Sequence, residues 1–163
     1  MSKVGLAAAR LFGKGLSRFD DQAEAESALF ARRDQLLEKL ADWSQRSADF
    51  TYDLSPESLK GLERWYFQLA AGPGVRSIKT DLDTFERAIA MYLGAVFVRN
   101  GRPPFEWIVT EFPFEKGRYE IGVERGLFAM MLSRHSFPTE NNKRQQSLWR
   151  MYLRHAKPPT AKP

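Results

Sequence analysis

Pro103-Pro104 splits the sequence into two regimes, and this constrains the fold more than any other feature. Two successive prolines after Asn100-Gly101 cannot continue a helix, because neither supplies an N–H and each ring crowds the preceding turn. Upstream of them, apolar residues recur at helical spacing. Downstream they alternate, as in strands.

Three helices are expected before the break. The first runs from about Asp21 to Gln45, with Asp20, Asp21, Glu24 and Glu26 at the positive end of its dipole and Leu29, Leu36, Leu37, Leu40 and Trp43 as its apolar stripe. The second starts at Ser55-Pro56, where Ser caps free N–H groups and Pro loses no donor, and it stops at Gly72-Pro73-Gly74. The third begins near Thr80 or Asp81, buries Phe85, Ile89, Tyr92, Leu93 and Val96, and closes through left-handed residues at Asn100-Gly101. Beyond the prolines, Phe105, Trp107 and Val109 alternate with Glu106, Ile108 and Thr110, and Tyr119, Ile121 and Val123 share a face. Pro113–Gly117 is turn chemistry, which makes an antiparallel hairpin. Leu127–Leu132 fits either a third strand or a short helix, and the Gly126 turn favours the strand. A last helix is expected from about Glu140 to His155, with Leu148, Trp149, Met151 and Tyr152 inward. The whole reads as α+β: three N-terminal helices, a small antiparallel sheet of two to three strands, and a closing C-terminal helix.

Residues 20–157 form a single domain on this reading, with an arm at 1–19 and a disordered tail at 158–163. The arm is either a basic amphipathic anchor for an acidic surface or a loose segment packing Leu11, Phe12 and Leu16 on the body. Gly5, Gly13 and Gly15 weaken it as a helix, by about 1 kcal/mol each in an interior. Charge is unevenly distributed. Residues 1–19 carry +4, residues 20–133 carry −5 and residues 134–163 carry +6, within a net charge of +5. A mildly acidic body therefore bears two basic ends, and contact with nucleic acid would have to use those ends.

The chain has no cysteine, which excludes disulfides, thiolate nucleophiles and Cys-ligated zinc. No apolar run reaches the roughly 18 residues of a membrane span, so the expectation is a cytoplasmic protein. Gly13-Lys14-Gly15 and Gly72-Pro73-Gly74 are too short to cradle a phosphate, and neither follows a strand. The two histidines, His135 and His155, are not spaced as metal ligands. No catalytic, cofactor or metal residue is expected. Two groups are candidates for partner contact: the hairpin acids Glu106, Glu111, Glu115, Glu120 and Glu124, read as a solvated sheet face suited to a basic partner, and the basic C-terminal residues Arg144, Arg150 and Arg154. Trp149 and Tyr152 beside those cations raise single-strand nucleic-acid binding as an alternative, although burial explains them more simply.

Tyr92-Leu93-Gly94-Ala95-Val96, followed by Asn100-Gly101 and Trp107, resembles a pattern of small uncharacterised bacterial α+β proteins. In these, a helix reading Y-L-G-E-V precedes a Trp-bearing strand, and here Ala95 replaces the acid. Leu148–Tyr152 is similar to their closing helix. Gly94 in a helix interior suggests close approach of another backbone or of an aromatic ring, with Tyr92 and Trp107 then as packing neighbours. The resemblance implies a cytosolic protein-binding role, as in immunity proteins that occlude a cognate bacterial toxin. An adaptor in another bacterial assembly, or a peripheral membrane binder through residues 1–19, is the alternative.

Overall fold

The computed structural model describes residues 3–134 and 147–157. Five α-helices are present among them: α1 (Lys3–Gly13), α2 (Gln22–Ser44), α3 (Ser58–Ala71), α4 (Leu82–Asn100) and α5 (Ser147–Ala156). They combine with strands β1 (Glu106–Glu111), β2 (Tyr119–Arg125) and β3 (Phe128–Met131). The α+β class stands, but the expected set of three N-terminal helices and one closing helix is corrected to five. The addition is α1, whose glycines had counted against it. Gly13 is a packing surface: a Cβ there would lie 2.6 Å from the Phe112 ring. Leu16 is buried, whereas Leu11 points outward with 70% of its surface exposed.

Local chemistry sets the other boundaries. Asp21 caps α2 by accepting from Glu24 N at 2.8 Å, and Asp81 caps α4 through Thr84 N at the same distance. α3 starts later than Ser55-Pro56, yet Ser55 Oγ still accepts from Ser58 N at 3.2 Å. A 3₁₀ turn at Val75–Ile78 links α3 to α4. α4 does not end in a left-handed residue. Gly101 has φ −61°, and it is required to be small, because a Cβ would fall 2.4 Å from Phe105 and 2.8 Å from the Phe97 carbonyl. The Asn100 side chain instead donates to the Leu54 and Val96 carbonyls.

The core is organised around α4, in which Phe85, Ala88, Ile89, Tyr92, Leu93, Val96 and Phe97 are fully buried. Residues 88–94 are buried without a break, so the middle of this helix has neighbours on every side. α2 packs along it, β1 and β2 cross one face, and α5 lies against both α3 and α4. Gly94 meets Trp107 and Leu132, each 2.5 Å from where a Cβ would be. Tyr92 faces the other way, ringed by Phe50 and Tyr52 at 5.2 and 4.9 Å and hydrogen-bonded to Ser58 at 2.7 Å. The close ring approach at Gly94 is therefore present, but Trp107 and Tyr92 occupy opposite sides of α4.

The sheet is an antiparallel meander in the order β1-β2-β3. Its register pairs Glu106 with Glu124, Val109 with Ile121, and Gly122 with Met131. Leu127–Leu132 thus resolves as a strand followed by a 3₁₀ turn at Leu132–Arg134. The expected tail at 158–163 and the first part of the expected last helix, 140–146, lie outside the described residues.

Candidate partner-binding groove

α5 is the last described element, and side chains from elsewhere in the fold fix both its ends. At its N-terminus the buried carboxylate of Glu63, on α3, accepts from Ser147 N at 3.0 Å and from Ser147 Oγ. This supplies from outside the helix the cap that its first N–H groups need. The second oxygen, Glu63 Oε2, is buried with no hydrogen bond among the described residues. At the C-terminus, Arg125 of β2 donates to the Ala156 and His155 carbonyls at 2.8 and 2.9 Å, placing a cation at the negative end of the dipole. The same guanidinium lies 4.2 Å from the Phe105 ring centroid. Leu148 and Tyr152 are buried, and Tyr152 stands 5.1 Å from Phe97.

The His155 ring stacks on Phe128 of β3 at 4.6 Å, tying the end of the helix to the strand. Burial, followed by the nearby Arg154 charge, lowers the His155 pKa below its ordinary 6.5.

Between this clamped helix and β3 runs an open groove of about 570 Å³. Phe128, Ala129, Met130 and Met151 line it with apolar surface, and Arg150 and Arg154 project from α5 as its charged wall. The two arginines are four apart, hence one above the other on a helix. Neither makes an ion pair among the described residues, and residues 147–157 include no acid. β3 pairs only with β2 among the described residues, so its other edge carries strand N–H and C=O groups beside the groove. Of the expected basic contacts, Arg150 and Arg154 come together here, and Arg144 lies outside the described residues.

The five hairpin acids do not form one surface. Glu106, Glu120 and Glu124 share the sheet face turned away from Trp107 and Val109. Glu120 is only 1% exposed, so its reading as a solvated group is corrected. Glu111 accepts from Gly117 N at 2.6 Å and stabilises the hairpin turn. Glu115 pairs with Arg18 and, at 3.3 Å, with Arg118. Only Glu106 and Glu124 remain as a surface pair, directly opposite each other in the ladder, where like charges destabilise.

A second cleft of about 240 Å³ lies between α1, α2 and α4, floored by Leu29, Leu36, Met91 and Leu132. Its cations are already engaged: Arg33 with Asp34 at 2.8 Å, Arg87 with Asp83 at 2.7 Å, and Arg32 with Ser17 Oγ at 3.1 Å. It is also smaller than the ~300 Å³ at which ligand pockets begin. The groove, with two unpaired cations and an open strand edge, is the stronger site. Among the described residues, no three His, Cys, Asp or Glu side chains are placed to hold a metal ion.

The groove floor was missed in the sequence. Its signal was present, since LFAMM precedes a stretch in which Arg150, Arg154 and Lys157 occur without an acid. What was lacking is the juxtaposition of two elements more than fifteen residues apart.

Residues 18–156 match the family model described as uncharacterised protein YwmA, and the chain belongs to that family. It is similar to the uncharacterized protein YwmA of Bacillus subtilis (strain 168), at 30% identity over 116 residues, which is 70% of this chain and 71% of that protein. No solved structure matches the chain. The groove-forming elements β3 and α5 lie within the family-matched residues, whereas α1 lies outside them. No helix among the described residues is long and apolar enough to cross a membrane.

Proposed function

We propose that this protein is a non-catalytic binding module that takes an extended, acidic segment of a protein partner into the groove between β3 and α5. The observation that carries the reading is the unpaired Arg150–Arg154 wall facing an apolar floor along an open strand edge. An extended segment added to β3 would satisfy its edge N–H and C=O groups, alternate side chains would enter the Phe128–Met130–Met151 floor, and carboxylates would meet the arginines. Ordered chemistry of another kind has little to work with: the described carboxylates near the groove serve to cap α5 or face the far side of the sheet.

Neutralising a cognate bacterial toxin is the specific form that the Tyr92–Val96 resemblance suggests, and its support is that resemblance alone. An adaptor in another assembly uses the same groove. The two are separated by asking whether the protein rescues cells from the product of an adjacent toxin gene.

The binding reading itself is tested by fluorescence anisotropy with a labelled peptide alternating Glu and Val, set against its Lys-Val counterpart. The Glu-Val peptide is expected to bind and the Lys-Val peptide to fail. Arg150→Glu with Arg154→Glu should weaken the Glu-Val complex at least about tenfold, on the order of 1.4 kcal/mol. Equal binding of both peptides, or indifference to the double reversal, contradicts it.

A further inference from the structure

We infer that α1 and the adjoining β1–β2 turn form a docking surface for an anionic lipid membrane, a role separate from the groove. Residues 1–19 hold four cations and no acid. On α1, Gly5, Leu6, Ala9, Phe12 and Gly13 turn toward the body, while Ala7, Ala8, Arg10 and Leu11 are exposed. Leu11 is thus an outward-facing apolar side chain between Arg10 and, one turn on, Lys14, which is also exposed. The helix is not free to bury Leu11 by rolling. Phe12 packs on Phe112 at 5.9 Å, and the chain after the helix is stitched to the hairpin by Phe19 N to Gly117 O at 3.0 Å and Tyr119 N to Ser17 O at 3.3 Å.

The turn extends the same surface. Phe112 is buried and contacts Phe114 at 5.5 Å, and Phe114 is 38% exposed beside exposed Lys116. Leu11, next to Phe12, and Phe114, in contact with Phe112, are two exposed apolar groups adjoining the Phe12–Phe112 contact, and Arg10, Lys14 and Lys116 are exposed cations within three residues of one or the other in sequence. None of these three cations has an ion-pair partner among the described residues, and the nearby Glu115 is already taken by Arg18 and Arg118. Shallow apolar insertion beside exposed cations without ion-pair partners is what an anionic headgroup layer accepts. A protein partner fits less well, since two exposed large apolar side chains offer far less than the ~800 Å² per side of a stable interface.

The test is flotation of the full chain with vesicles. Association is expected with phosphatidylcholine vesicles containing about one-third phosphatidylserine, and not with pure phosphatidylcholine. It should be lost in about 1 M salt, where the Debye length falls to about 3 Å. Leu11→Asp, and separately Arg10→Glu with Lys14→Glu, should each reduce association about tenfold. These sites are exposed, so unchanged circular dichroism and thermal midpoint will confirm that the variants fold. Arg150→Glu with Arg154→Glu should float like the parent, which separates this inference from the groove. No association with phosphatidylserine vesicles at low salt, no effect of Leu11→Asp, or loss through the Arg150 and Arg154 reversals instead would each overturn it.

Discussion

Gly61 and His155 show how single residues are bound to this fold. Gly61 lies inside α3, where alanine is ordinarily the better helix former by about 1 kcal/mol. Here an added Cβ would come 2.2 Å from the Asp49 carbonyl oxygen, and backbone cannot swing aside as a side chain does. Gly61→Ala should therefore destabilise the protein by about 2 kcal/mol despite its helix propensity, read as a lower midpoint in urea. His155 is held with its pKa below 6.5 by burial against Phe128 and by Arg154. The unfolded chain then binds more protons than the folded one as pH drops below about 6.5, so stability is full above that value and falls with acidification. His155→Phe keeps an aromatic ring on Phe128 and removes the proton. Its stability-versus-pH curve should be flatter between pH 5 and pH 7 than the parent's, where the ordinary histidine titrates. An unchanged slope would locate the acid sensitivity elsewhere.

Among the elements, α5 depends most on distant residues. Side chains from α3 and β2 hold its described residues, through Glu63 at Ser147 and Arg125 at His155 and Ala156. Arg125→Ala removes two hydrogen bonds from its last carbonyls, and Glu63→Leu removes the acceptor of its first N–H. Each should speed amide hydrogen exchange across Ser147–Ala156 while leaving α2 and α4 protected, whereas Glu63→Gln, which retains an acceptor, should exchange more slowly than Glu63→Leu. Uniform acceleration across all helices would mean that α5 is not a separately held unit. Most elements were legible in the sequence because their signals are local. Asp21 and Asp81 cap helices, Pro103-Pro104 ends one, and Pro113–Gly117 turns the hairpin. α1 was less legible because glycine counts against a helix until Phe112 is known to lie on Gly13. The closure at Gly101 was misread for the same reason: the constraint comes from Phe105 and the Phe97 carbonyl, not from a left-handed φ.

Over the whole molecule, the uneven charge seen in the sequence becomes distinct surfaces. The basic ends form the α1 patch and the Arg150–Arg154 wall, and Glu63 and the hairpin acids between them take separate roles. Glu63 caps α5, Glu111 holds a turn and Glu115 is paired, leaving Glu106 and Glu124 exposed or half-exposed on the outer sheet face. The sequence named Arg150 and Arg154 but not the groove, because a groove needs β3 and α5 side by side, and no local pattern records that. It also grouped five glutamates that strand register and turn geometry then separate. The central claim, that the β3–α5 groove receives an extended acidic segment, is tested most directly by mapping amide chemical shifts of the full chain while the Glu-Val peptide is added. The predicted result is perturbation concentrated at Phe128–Met131 and Ser147–Ala156, with new exchange protection of β3 amides on its open edge. Shifts confined to the Glu106–Glu124 face, or none at either element, would contradict it.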